Sequence, residues 1–289
     1  IQQLFEVQDR ITAAVVAALE VELAPGERER LARRATASIA AYDHYLRGFE
    51  DHGRRAKEQN RSAKWEFERA IALDPGFARA YAGLAMVHSR EAIDGWTETP
   101  AESLEQGAAL AEQAARLDPG LPQVHFVAGQ VGLFRRRHLD AIEAAERAIA
   151  IDPNYADAYA LSAWILSYAG RPDQALARLQ QAMRLNPRPP ASYLEVLGEI
   201  QFVRGRYGES AATFQRVLGI NPEYDRARMW LAAALAQAGD IEGAEWEAAE
   251  LLVARPAFYL GRLAFAFPFK DDRKLEWLLQ GLRKAGLPE

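Results

Sequence analysis

The sequence of 289 residues contains no cysteine. Without a thiol there are no disulfides, no thiolate nucleophiles and no cysteine metal ligands, a composition that suits a reducing compartment, and a cytoplasmic location is the expectation. Clustered positive charge is also scarce. The longest basic block is Arg135-Arg136-Arg137 and the net charge is -5, so the basic surface that nucleic acid requires is missing. Those three arginines fall at the end of an expected helix, where they complement its dipole. The longest apolar runs, such as Ala13 to Leu19, fall well short of the roughly 20 residues that span a bilayer, and no secretory signal is visible. Glycine-rich phosphate loops, His-Glu-x-x-His and Gly-x-Ser-x-Gly are all absent. The five histidines are scattered. His44 and His52, the nearest pair on one expected helix, stand about 80° apart around it, which splays their rings instead of converging them on one ion. No catalytic residue, cofactor or metal is therefore expected, and neither nucleic acid nor membrane is an expected partner.

What the sequence does contain is repetition. Leu117-Asp118-Pro119, Ile151-Asp152-Pro153 and Leu185-Asn186-Pro187 place their prolines 34 residues apart. Asp74-Pro75 extends the series upstream at a spacing of 44, and Asn221-Pro222 and Arg255-Pro256 extend it downstream at 35 and 34. Before each proline comes the same pattern of small and apolar residues: Ala141, Ala145 and Ala148; Ala175, Leu179 and Ala182; Ala63, Phe67 and Ala70; Ser210, Phe214 and Val217; Ala244, Ala248 and Leu251. Small side chains at such spacing let two helices cross closely. Proline lacks an amide hydrogen and disfavours helix at its predecessor, so it ends each second helix.

This pattern resembles the tetratricopeptide repeat (TPR), a helix-turn-helix unit that stacks into a solenoid. The resemblance implies an all-α, right-handed superhelical solenoid. Six units are expected at about 36–77, 78–121, 122–155, 156–189, 190–224 and 225–258. Residues 1–35 would form an amphipathic N-terminal helix and connector, and residues 259–289 C-terminal capping helices. The N-terminal helix is expected over Ile1 to Leu23, from Leu4, Val7, Ile11, Val15 and Leu19 at helical spacing. Thr36 or Ser38 would cap the first repeat helix. Phe258 to Phe267 is expected to be one more apolar helix ended by Pro268, and Asp271 or Asp272 to cap a last helix with Trp277 in its core. Unit two carries about ten extra residues around Ile93 to Pro100, and Trp96 within them is expected to fold back on neighbouring helices or to contact a ligand.

In such solenoids the first helices line a concave face. Carried onto this chain, that face holds Tyr45 and Phe49, Arg79 and Met86, then Gln123, Phe126 and Gln130, then Trp164, Glu195, Glu199, Phe202, Arg226 and Met229. An aromatic groove flanked by charges suits an extended peptide or a helix, with Arg79 and Arg226 selecting acidic groups. Some of these aromatics are expected to pack between repeats instead. Glu195 and Glu199 read as a solvated or peptide-facing acidic patch. The TPR clamps for chaperone tails use Lys and Asn, whereas the corresponding places here hold Ala82, Phe126, Ala160 and Glu195, so that ligand is not expected.

Three stretches resemble a narrower family: Leu4 to Thr12, Ala41 to Gly48, and Phe269 to Asp272 followed by Gly281 to Pro288. They are similar to the C-terminal TPR region of bacterial class III adenylate/guanylate cyclases and related TolB-like/winged-helix regulators. The resemblance implies a piece of a longer protein, consistent with a first residue, Ile1, that is not methionine. None of these stretches is catalytic. The expected function is a non-catalytic protein-protein interaction scaffold, the regulatory region of a multidomain signalling protein. The alternative is a self-assembly module joined into a homodimer by the N-terminal helix or the Trp96 loop.

Overall fold

The computed structural model describes residues 36–289; the expected helix over Ile1 to Leu23 lies outside them. Twelve helices form six consecutive hairpins. They are α1 (Ile39–Gly53) with α2 (Lys57–Leu73), α3 (Ala78–Ile93) with α4 (Pro100–Leu117), and α5 (Pro122–Phe134) with α6 (His138–Ile151), followed by α7 (Ala156–Tyr168) with α8 (Pro172–Leu185), α9 (Ala191–Val203) with α10 (Tyr207–Ile220), and α11 (Asp225–Ala238) with α12 (Ile241–Ala254). Odd-numbered helices also touch the next odd-numbered helix, from α1 through to α11. They are therefore enclosed on most sides, and in α7 every residue from Leu161 to Tyr168 is buried. Even-numbered helices bury one stripe, as Ala175, Leu179 and Ala182 do in α8.

The repeated residues explain the hairpins. Ser38 caps α1, its hydroxyl accepting from the Ala41 amide at 3.2 Å. Each second helix up to α10 ends on an Asp or Asn whose side chain takes the amide two residues on. Asp74 takes that of Gly76 at 2.9 Å, Asp152 that of Asn154 at 3.0 Å, and Asn221 that of Glu223 at 3.3 Å. This Asx turn halts the helix, and the proline between the partners cannot resume it. Where the middle small residue is a phenylalanine, glycines make room. A Cβ on Gly83 would lie 2.4 Å from Phe67 Cε1, and one on Gly198 2.6 Å from Phe214 Cε2.

After α12 the chain departs from the expected apolar helix. It makes a 3-10 turn over Leu260–Arg262 and a single helical turn, α13 (Leu263–Ala266), then leaves helix at Phe267 in a γ-turn centred on Pro268, with the Phe269 amide donating to the Phe267 carbonyl at 2.9 Å. Pro268 holds its predecessor out of helix. Asp271 then caps α14 (Asp272–Lys284), accepting from the Arg273 amide at 3.1 Å. This helix packs on α11 so closely that a Cβ on Gly281 would meet the Ala233 carbonyl oxygen at 2.8 Å. Trp277 is not in its core: the ring is 38% exposed and lies beneath the Lys274 ammonium at 3.8 Å. Among the described residues no helix is long and apolar enough to cross a membrane.

Candidate functional site

Each hairpin turn contains one residue with positive φ, just past its first helix. Gly95, Gly170, Gly205 and Gly239 hold that place in four units, but Arg55 (φ 51°) and Arg136 (φ 59°) hold it in units one and three. A side chain with a Cβ is disfavoured there by about 1–2 kcal/mol. Both arginines reach across the concave side from these positions.

Arg55 closes the solenoid on itself. Its Nη1 pairs with Glu195 of α9 and donates to the Tyr224 hydroxyl at 2.7 Å. Tyr224 in turn donates to Glu195 Oε1 at 2.7 Å. Arg226 completes the cluster, donating to Glu195 and Glu199 at 3.2 Å each and to the Tyr168 hydroxyl at 3.1 Å. Trp164 Nε1 donates to Glu199 Oε2 at 2.8 Å. Burial favours the neutral acid in both carboxylates, but the outcomes differ. Arg55, Arg226 and Arg90 together hold Glu195 below the ordinary carboxylate range. Glu199 is pushed up to about 7, because Arg226 offsets its burial only in part and the Glu195 charge adds to it. A second tie lies beside the first: Arg255 Nη2 donates to the Asp94 carbonyl at 2.6 Å and the Gly95 carbonyl at 3.3 Å. The long loop of unit two is thus turned inward against units five and six. Trp96, with Tyr224, Met229 and Phe258, lines a cavity of about 670 Å³ at this seam.

The non-helical segment after α13 fills the neighbouring part of the concave face. Phe267 packs edge-on to Trp230 at 5.3 Å and beneath the Arg226 guanidinium at 4.4 Å. Phe269 lies 4.6 Å from the Tyr168 ring. Its backbone is held by the repeats: the Lys270 amide donates to the Tyr168 carbonyl at 2.9 Å, His138 Nε2 donates to the Pro268 carbonyl at 2.6 Å, and Arg136 Nη1 donates to the Phe269 carbonyl at 3.4 Å.

These two features divide the thirteen candidate residues. Gln130, Trp164, Glu195, Glu199, Phe202, Arg226 and Met229 are all buried. Glu195 and Glu199 therefore form no solvated patch. They are 3% and 1% exposed, because the desolvated arginines need them as counter-charges. Arg226 spends its donors inside the chain and not on an acidic ligand. Phe49 is 51% exposed, and Tyr45, Arg79, Met86, Gln123 and Phe126 are half-buried beside or beyond it on α1, α3 and α5. Tyr45 lies 6.2 Å from Phe49 and 5.2 Å from Phe77, so the open half is lined by aromatic rings. Sequence reasoning missed Arg55, Arg136, His138 and the 267–270 segment. The signal for the two arginines was the loss of glycine from the turn position.

The architecture defines an all-α solenoid of helical hairpins. Tetratricopeptide repeat models match residues 144–177, 161–225 and 204–257, so residues 144–257 of the chain carry tetratricopeptide repeats. It is 33% identical over 145 residues to "Putative adenylate cyclase 3" of Rhizobium meliloti (strain 1021), a match spanning 50% of this chain and 24% of that protein. Among solved structures it is similar to a thermophilic TPR protein of Thermus thermophilus at 20% identity and TM-score 0.50, covering 68% of this chain and 99% of that one. It is also similar to a chain of the APC/C hetero-tetramer Cut9-Hcn1 at 16% identity and TM-score 0.55, covering 84% of this chain and 46% of that one. Both likenesses are of fold.

Proposed function

We propose that this chain is a non-catalytic protein-interaction scaffold that takes an extended segment of a partner along the open half of its concave face, and that it serves as the regulatory region of a bacterial nucleotidyl cyclase. The observation that carries the binding reading is the partly exposed line from Phe49 and Tyr45 through Arg79 and Met86 to Phe126, on three successive inner helices. Desolvating aromatic rings in a pre-formed groove supplies affinity, and Arg79 supplies a preference for acidic neighbours. The cyclase reading is supported by the half-chain likeness to the Rhizobium protein.

The test is an array of extended peptides probed with the intact chain and with Phe49→Ala/Phe126→Ala. The double variant should lose the retained peptides by about tenfold or more in affinity, the equivalent of 1.4 kcal/mol. An unchanged set of bound peptides sinks the open-half assignment.

A further inference from the structure

We propose that the surface formed by Arg136, His138, Tyr168, Arg226 and Trp230 is a second peptide site, held in this structure by the chain's own Phe267–Lys270. The site fits a partner segment of the same chemistry: a short non-helical stretch turned at a proline, with two aromatic residues flanking the proline and a basic residue after them.

The segment is recognised as a ligand would be. Pro268 centres a γ-turn, the Phe269 amide donating to the Phe267 carbonyl at 2.9 Å, and three further backbone polar groups of the segment bond to the repeats through Arg136, His138 and the Tyr168 carbonyl. Its two aromatic side chains enter separate seats, Phe267 between Trp230 and Arg226 and Phe269 against Tyr168. Main-chain bonds with side-chain pockets are the general mode of extended-peptide capture. Arg136 adds an independent mark, since it supplies its donor from a backbone conformation that glycine occupies in four of the other units. The flanks are anchored without the segment. Leu260 donates its amide to the Pro288 carbonyl at 2.8 Å, and α14 is tied to α11 by Gln237, which donates to the Trp277 carbonyl at 2.7 Å. Release of Phe267–Lys270 therefore leaves a loop between two fixed points, and the repeats stay covered at their end.

A site held by its own chain shows a weakened apparent affinity, reduced by the fraction of molecules in which the segment is out. Its residues are distinct from the open line of Phe49 to Phe126, so loss of binding in Phe49→Ala/Phe126→Ala leaves this site unaffected.

The experiment uses a fluorescent peptide of residues 266–272, Ala-Phe-Pro-Phe-Lys-Asp-Asp. It is titrated into the full chain, into Phe267→Ala/Phe269→Ala, and into that variant with His138→Ala added. Expected is binding to the double variant on the order of tenfold tighter than to the unaltered chain, with the gain lost on adding His138→Ala. Equal binding to the first two proteins overturns the proposal. Should the double variant fail to fold, hydrogen exchange on the unaltered chain decides. A Lys270 amide that exchanges faster than the Trp230 amide supports a releasable segment, and equal protection overturns it.

Discussion

Arg55 and Glu195 stand 140 residues apart in sequence and form a buried ion pair that joins the first hairpin to the fifth. A solenoid ordinarily joins each unit only to its neighbours; here the row is bent until its ends meet. Removing one member strands the other charge in a desolvated site. Glu195→Ala should therefore lower unfolding stability by about 3–5 kcal/mol. Arg54→Ala, which loses only same-helix surface pairs with Glu50 and Asp51, should change it by less than about 1 kcal/mol. Urea denaturation of both variants makes the comparison, and equal small losses would mean the closure contributes nothing to stability.

Glu199 makes stability depend on pH. In the folded chain it titrates at about 7, against 4.5 when unfolded, so the native state holds this proton more tightly. Its contribution is fully present below about 4.5 and is lost as pH rises to about 7. Glu199→Gln keeps an acceptor for Trp164 and removes the titration. The stability of that variant relative to the parent should rise between these pH values and then level. A flat difference would show that Glu199 titrates as an ordinary carboxylate.

His52 and His88 act in the opposite sense. Burial, reinforced by Arg90 and Arg55 at His52 and by Lys64 at His88, lowers their folded values to about 3 and about 4, from 6.5. The stability they contribute is present above 6.5 and is lost as pH falls through their folded values. His52→Gln should flatten the acid limb of the denaturation profile, and an unaltered acid limb rules His52 out as a source of acid unfolding. Between 4.5 and 6.5 the two histidine slopes oppose and outweigh that of Glu199, so the intact chain should vary less there than Glu199→Gln and more than His52→Gln.

Gly83 and Gly198 should tolerate no side chain. Alanine at either place drives a methyl into Phe67 or Phe214, an overpacking cost of about 1–3 kcal/mol. Phe214→Leu should then cost less in the Gly198→Ala background than in the parent. Strict additivity of the two changes would mean that Gly198 and Phe214 do not press on each other.

Trp230 and Trp277 should behave as opposites. Trp230 is fully buried against Phe202, Phe214 and Phe267, and its replacement by alanine should cost about 3–5 kcal/mol. Trp277→Ala removes a ring 38% exposed and should cost less than about 1 kcal/mol. Thermal melts of the two variants test the contrast, and equal losses would put Trp277 back in the core.

The repeat was legible because its causes are local. Asp or Asn before proline stops a helix, and alanine at fixed spacing lets two helices cross, wherever the hairpin sits. The closure was not legible in that way. Whether Glu195 meets solvent or Arg55 depends on the small rotation between successive units, summed over five of them. The same sum set Arg226 beneath Phe267 of the returning segment, Trp164 on Glu199 and Phe134, and Phe202 between Tyr207 and Trp230. Phe258 to Phe267 has an apolar composition that suits a helix, but its partners are the inner helices of units four and six. Leu260 to Ala266 breaks into single turns there, and the γ-turn at Pro268 seats Phe267 and Phe269. Trp277 was misplaced because α14 buries the face carrying Leu278, Gly281 and Leu282.

The Arg55 contact also sets an order of events during synthesis. Tyr224 leaves the ribosome 169 residues after Arg55, and Arg255 follows the Asp94 carbonyl by 161. At about 5–20 residues per second, the first hairpins spend roughly ten to thirty seconds as an open row with their arginine facing water. The Arg55 contact is complete once Tyr224 ends the fifth unit and the Arg255 tie once the sixth emerges, so a nascent chain cut off before Glu195 keeps its early repeats and leaves the interior open to whatever is nearby.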